Sequence, residues 1–197
     1  MILKGKKVIL RPIEFDDLEF IRSLINNPDI EKTIVGWALP LSKQDEEKWY
    51  SSFSNTDKSI RYLIEDYQGN RVGLTGISNI DMKNGCAKMA GIRISPDVQS
   101  RGLATDAYMT IFNFAFRELR LHRIETSAFD DNFASLRFQE KLGSKREGIR
   151  REAVYKNGQY KNVVTFGCLK SDFEERYNSY SNDEKIERQN VLNAIRD

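Results

Sequence analysis

Ile92-Arg93-Ile94-Ser95-Pro96-Asp97-Val98-Gln99-Ser100-Arg101-Gly102-Leu103-Ala104-Thr105-Asp106-Ala107 is the stretch whose reading decides the fold. It reads as a buried strand, a break at Pro96, a short polar loop and the start of a helix. The first turn of a helix leaves its N–H groups unpaired, and the macrodipole places partial positive charge there. Strand–loop–helix is therefore how backbone donors are gathered for a phosphate. Gly102 lets backbone approach an anion with no Cβ in the way. Arg101 adds a countercharge and Thr105 a hydroxyl. Ala104, Ala107, Tyr108, Ile111 and Ala115 then recur at helical spacing, so a core-facing helix leaves the loop.

Upstream, Lys7 to Pro12 alternates as a first strand, and Asp16-Asp17 can charge the start of a helix whose apolar stripe is Leu18, Ile21, Leu24 and Ile25. Pro28 stops that helix, residues 29–41 read as a loop, and Ser42-x-x-Asp45 opens a second, charged helix with Trp49 and Phe53. Ile60–Glu65, Val72–Ile80 and Ala87–Ile94, joined by Gly/Asn turns, predict an antiparallel meander. Downstream of the helix, Arg123–Phe129 is a strand that runs parallel to the one ending at Ile94, because a helical crossover joins them. A short helix over Ala134–Leu142 ends at Gly143, and Asn157-Gly158 marks a hairpin. Residues 1–170 read as one domain and 171–197 as a polar, solvated helical tail.

Lys+Arg and Asp+Glu nearly cancel, leaving a formal charge of +2, with no basic stripe for nucleic acid. The two cysteines, Cys86 and Cys168, have no CxxC spacing, and His122 is the single histidine, so no metal site and a reduced, cytoplasmic setting are expected. No long apolar run follows the basic start, so neither signal peptide nor membrane span is expected.

Gln99-x-x-Gly102-x-Ala104 resembles the Q/R-x-x-G-x-G/A pyrophosphate loop of the GNAT acetyltransferase superfamily, and Asn132-x-x-Ser135 with Glu140-Lys141-Leu142-Gly143 resembles its next motif. Leu10-Arg11-Pro12 and Asn157-Gly158-x-Tyr160-x-Asn162 are similar to its ribosomal-protein-acetylating (Rim-type) and polyamine-acetylating branches. The resemblance, over roughly residues 6–170, implies an α+β fold with a mixed, splayed sheet of about seven strands flanked by helices. It implies acetyl-CoA as co-substrate, its pyrophosphate on Gln99, Ser100, Arg101, Gly102, Leu103, Ala104 and Thr105. It also implies pantetheine pairing with the backbone of Ile92, Arg93 and Ile94, a hydrogen bond from Asn132, and Arg137 or Lys141 reaching CoA phosphates. Trp37 and Tyr155 would border the acceptor site.

The implied reaction transfers acetyl to a primary amine of a small molecule or peptide by direct attack. Deprotonating a lysine-like amine of pKa ~10.4 at pH 7 costs roughly 4.6 kcal/mol, against about 1 kcal/mol for an α-amine near ~7.8. A base therefore matters most for alkyl amines. Two family residues are missing. The tyrosine often found seven residues after the motif asparagine, as acid for the thiolate, is Gln139, and the strand glutamate often used as base is Met89. Ser135, the position used by some Rim-type enzymes, is the expected hydrogen-bond donor to the thiolate. Glu152 is the preferred base, with Glu14 and Asp81 as alternatives. These absences leave room for a non-catalytic CoA-binding or regulatory protein, and a polar C-terminal helix leaves room for a homodimer.

Overall fold

The strands of the computed structural model, which describes residues 1–36 and 39–181, form one mixed sheet. They are β1 (Leu3–Lys4), β2 (Val8–Arg11), β3 (Ser59–Asp66), β4 (Arg71–Asp81), β5 (Cys86–Ile94), β6 (Arg123–Phe129), β7 (Lys145–Lys156) and β8 (Gln159–Leu169), in the order β1-β2-β3-β4-β5-β6-β8-β7. The count is eight among the described residues where about seven were expected. All neighbours are antiparallel except β5 and β6, as the helical crossover requires.

Helix α4 (Leu103–Arg117) crosses one face of the sheet and buries Ala107, Tyr108, Ile111, Phe112 and Ala115 against Val8, Leu10, Ile64, Ile77 and Ile124. The other face carries α1 (Leu18–Ile25), α2 (Pro28–Glu31) and α3 (Lys43–Ser52), whose Ile21, Leu24 and Ile30 pack on Leu63 and Leu74. Helix α2 departs from the loop expected over 29–41. Pro28 occupies its first turn, where no backbone N–H is needed, and Asn27 Oδ1 accepts from the N–H groups of Asp29 (2.9 Å) and Ile30 (3.3 Å). Helix α5 (Phe133–Lys141) follows β6, and a helix over 170–181, α6, ends the described chain.

That last helix is not the solvated extension the composition implied. Phe173 is fully buried against Phe112 and Phe116, and Tyr177 and Tyr180 turn inward as well. The Tyr180 hydroxyl donates to Asp106 Oδ1 at 2.5 Å, and the same buried carboxylate accepts the N–H groups of Lys6 (2.9 Å), Lys7 (2.5 Å) and Val8 (2.9 Å). These aromatic side chains are thus packed within the chain. Ile186, Val191, Leu192 and Ile195 lie outside the described residues.

Arg11, from the Leu10-Arg11-Pro12 signature, is structural. Its guanidinium donates to Asp17 Oδ2 (2.7 Å) and Oδ1 (3.0 Å) and to Glu65 Oε2 (2.6 Å). Asp17, 1 % exposed, also accepts from Arg71 Nε at 2.7 Å and from the N–H of Glu14 at 2.8 Å. Burial pushes the Asp17 carboxyl up, but the hydrogen bonds from Arg11, Glu14 and Arg71 outweigh it and hold the pKa below its ordinary value.

The feature that positions the site is where pairing stops. β5 and β6 are in register only over Cys86↔Arg123, Ala87↔Ile124 and Lys88↔Glu125. Gly91, at φ +88°, sits in a β-bulge between the Ile77↔Met89 and Thr75↔Ile92 pairs, and the Thr75 hydroxyl donates to its carbonyl at 3.2 Å. A bulge bends its strand. Past it, Ile92–Ile94 leaves β6, and the sheet splays.

Candidate active site

The splay opens a cleft of about 690 Å³. Ile92, Arg93 and Ile94 of β5 form one wall, and Asn132, Ala134, Ser135 and Phe138 at the start of α5 form the facing one. The end is closed by the loop from Pro96 to Thr105, and the third side is Asp29, Ile30, Thr33 and Ile34 of α2 and its exit. Asn132 Nδ2 donates to the Thr33 carbonyl at 3.4 Å, tying two of these sides together.

The loop has the backbone an anion needs. Ser100 (φ +64°) and Gly102 (φ +77°) are both left-handed, and Gly102 is the residue before α4, so successive N–H groups turn to one side as in an anion-binding nest. Gln99 Nε2 donates to the Ile94 carbonyl at 3.4 Å. Behind the loop Lys7 Nζ donates to the Arg101 carbonyl at 3.2 Å, and a Cβ on Gly102 would lie 3.2 Å from that ammonium. A glycine nest at the end of an elongated cleft beside an unpaired strand edge fits a pyrophosphate and its amide-bearing arm.

Eleven of the expected residues line this cleft: Ile92, Arg93, Ile94, Gln99, Ser100, Gly102, Leu103, Ala104, Thr105, Asn132 and Ser135. Arg101 and Arg137 are exposed and off its lining. Asn132 caps α5, Oδ1 accepting the N–H of Ser135 at 3.1 Å. Ser135 lines the cleft, and its hydroxyl has no hydrogen-bond partner among the described residues.

Glu152 is not brought to the site. It is exposed at the bulge of β7 with φ +47°, its N–H bound to Asn162 Oδ1 at 2.9 Å. Period-two alternation cannot orient a residue in a bulge. The alternatives are also occupied elsewhere: Glu14 caps the turn before α1, and Asp81 accepts the N–H groups of Lys83 and Asn84, both at 3.0 Å. Tyr155, 62 % exposed, stacks edge-on against Tyr160 across the hairpin instead of facing the cleft. Its neighbour Lys156 is the hairpin residue that turns inward, to Glu31 Oε1 at 2.5 Å and the Gly36 carbonyl at 2.9 Å. Trp37 lies outside the described residues.

Gln139 belongs to the core. It is 7 % exposed, and Oε1 accepts from the hydroxyls of Tyr108 (2.7 Å) and Thr126 (3.0 Å). Burial pushes the Tyr108 hydroxyl well above its ordinary value, so it is no acid at neutral pH. Gln139→Leu should cost about 2–6 kcal/mol of stability, because two buried donors each lose ~1–3 kcal/mol. Thermal melting reads the loss, and the acetyl-CoA affinity of the folded fraction stays unchanged if Gln139 has no part in the cleft.

Residues 7–145 match the acetyltransferase (GNAT) domain family, and the chain belongs to it. The spermidine N(1)-acetyltransferase of Vibrio cholerae is 29 % identical over 173 residues, 87 % of this chain and 98 % of that one. The putative ribosomal N-acetyltransferase YdaF of Bacillus subtilis is 31 % identical over 108 residues, 55 % of this chain and 58 % of its own length. The crystal structure of the Vibrio cholerae spermidine N-acetyltransferase in complex with CoA and spermine superposes with a TM-score of 0.78 at 28 % identity, covering 84 % of this chain and 97 % of that one. The protein is an acetyl-CoA-dependent N-acetyltransferase acting on an amine. Among the described residues no helix is long and apolar enough to cross a membrane.

Proposed function

We propose that the splayed cleft is where acetyl moves to a small primary amine, as in the spermidine-acetylating relatives. The observation that carries this reading is the unpaired edge of β5 running from the glycine nest to the α2 wall. On it, Gln99 to Thr105 hold the pyrophosphate by backbone N–H groups, Ile92 to Ile94 pair with the pantetheine amides, and Asn132 adds a side-chain donor. Bound acetyl-CoA supplies a thioester carbon: the amine nitrogen bonds to it, the C–S bond breaks, and the nitrogen's proton leaves as the thiolate takes one up.

Ser135 donates a hydrogen bond to that departing sulfur. Its position is supported by the Asn132 cap, which fixes the first turn of α5, and by a hydroxyl with no competing partner among the described residues. Ser135→Ala should lower kcat about tenfold, the worth of one hydrogen bond to a charged group at ~1.5 kcal/mol. Acetyl-CoA affinity by calorimetry should be unchanged; an unaltered kcat would remove Ser135 from the reaction.

Glu152 lies off the cleft lining, and among the described residues the one carboxylate on that lining, Asp29, is exposed and paired with Lys32 at 2.7 Å. The two unpaired cysteines, Cys86 and Cys168, support a reducing, cytoplasmic location. Release of CoA thiol across a panel of amines, with the acetylated amine identified by mass, tests the whole assignment.

A further inference from the structure

The end of the cleft nearest α2 holds more positive charge than the chain pairs. Arg93 lines it, and its Nε is buried with no hydrogen-bond partner among the described residues. Arg93 lies opposite Leu74, and Arg61 lies opposite Gly76 two residues along β4, so both side chains rise from the same face. Gly76 leaves the floor between them open; a Cβ there would meet the Ile60 carbonyl at 2.4 Å and Arg61 Cγ at 3.3 Å. Arg61 is held by the ring of Trp49, 6.0 Å from its guanidinium carbon, and not by a carboxylate among the described residues.

The groups facing this pair do not cancel it. From α2, Glu31 is bound by Lys156 Nζ, itself 6 % exposed, and Asp29 is exposed and paired with Lys32. Among the described residues, Arg93 feels the charges of Arg61 and of Glu31, and Glu31 is already bound by Lys156. Burial pushes both guanidinium pKa values down; Glu31 raises that of Arg93 and Arg61 lowers it. A half-buried guanidinium without an anion is a cost to the fold that a bound carboxylate or phosphate would relieve.

We propose that the acceptor amine carries an anionic group, a carboxylate or a phosphate, which Arg93 binds with Arg61 behind it. The proposal rests on the acetyl-transfer reading above and names the class of its substrate. A polycation would meet like charge in the same place.

The test uses matched acceptors: β-alanine against propylamine for the carboxylate, O-phosphoethanolamine against ethanolamine for the phosphate, and spermidine beside them. At least one anionic member should exceed its neutral partner about tenfold or more in kcat/KM, the arm that does so naming the group. Arg93→Met should collapse that ratio through KM, and Arg93→Lys should restore part of it. Spermidine or the neutral amines equalling both anionic acceptors, or an unchanged ratio in Arg93→Met, would overturn the proposal. A second readout needs no turnover: with CoA saturating, inorganic phosphate and acetate are titrated against the Arg93 and Arg61 Nε–H resonances. A saturable shift with either anion, absent in Arg93→Met, supports the site even if no amine is acetylated, in which case the transfer reading fails alone. No shift, with neutral amines turning over, sinks the anion site and leaves acetyl transfer standing.

Discussion

Gly102→Asp lowers acetyl-CoA affinity about 100-fold or more in calorimetric titration, while the melting temperature falls by only about 2–8 °C. One hundredfold is roughly 2.7 kcal/mol. The glycine stands at φ +77° directly before α4, where an L side chain adds about 1–2 kcal/mol of backbone strain. Relaxing that strain turns the nest N–H groups away, and two or three charge-assisted hydrogen bonds at ~1.5–3 kcal/mol each are weakened together. The new carboxylate adds like charge where a pyrophosphate belongs. Gly102→Ala separates the contributions. It carries the strain without the charge, and its Cβ meets only the flexible end of Lys7, so it should lose about tenfold. Retained affinity in Gly102→Asp would move the anion site away from residues 99–105.

Asp17→Asn should cost about 1.5–3 kcal/mol, measured by denaturant unfolding, because it takes the charged acceptor from the guanidinium groups of Arg11, 21 % exposed, and Arg71, 42 % exposed. Asp17 receives Arg11 on both oxygens and Arg71 on one, so a carboxamide keeps one acceptor and turns an NH2 group toward a guanidinium. The carboxyl's folded pKa is depressed below the unfolded value of ~3.9. Its stabilisation is therefore complete above about pH 4 and is lost as pH falls through the depressed folded value. The wild-type stability curve should fall through that acid range, and the Asp17→Asn curve should be flatter there. Equal acid limbs would show that Asp17 is not the group whose protonation loosens the joint between β2, α1 and β4.

Local chemistry made much of the chain readable. The helix start at Ser42, the Asn157-Gly158 hairpin and the strand–loop–helix around Gly102 each depend on residues a few positions apart, and each stands where the sequence puts it. Helix α2 was hidden because Pro28 serves equally to end one helix and to begin another. Phe173, Tyr177 and Tyr180 sit in a polar stretch, and nothing local reveals that Phe112, Phe116 and Asp106 wait for them across the fold. The backbone of the loop over 99–105 was legible because its conformation follows from glycine, whereas the side chains around α2 were not. Glu152 lost its alternation to a bulge, Lys156 showed no sign of burial, and the meeting of Arg61 with Arg93 depends on the register of three strands.

Acetyl transfer is tested most directly in a single reaction: acetyl-CoA, the protein and one amine at a time, with CoA thiol and N-acetyl product both quantified. One thiol should be released per acetylated amine on at least one acceptor. Thiol release without any acetylated amine, or no release from any acceptor by a protein that binds acetyl-CoA, would contradict it.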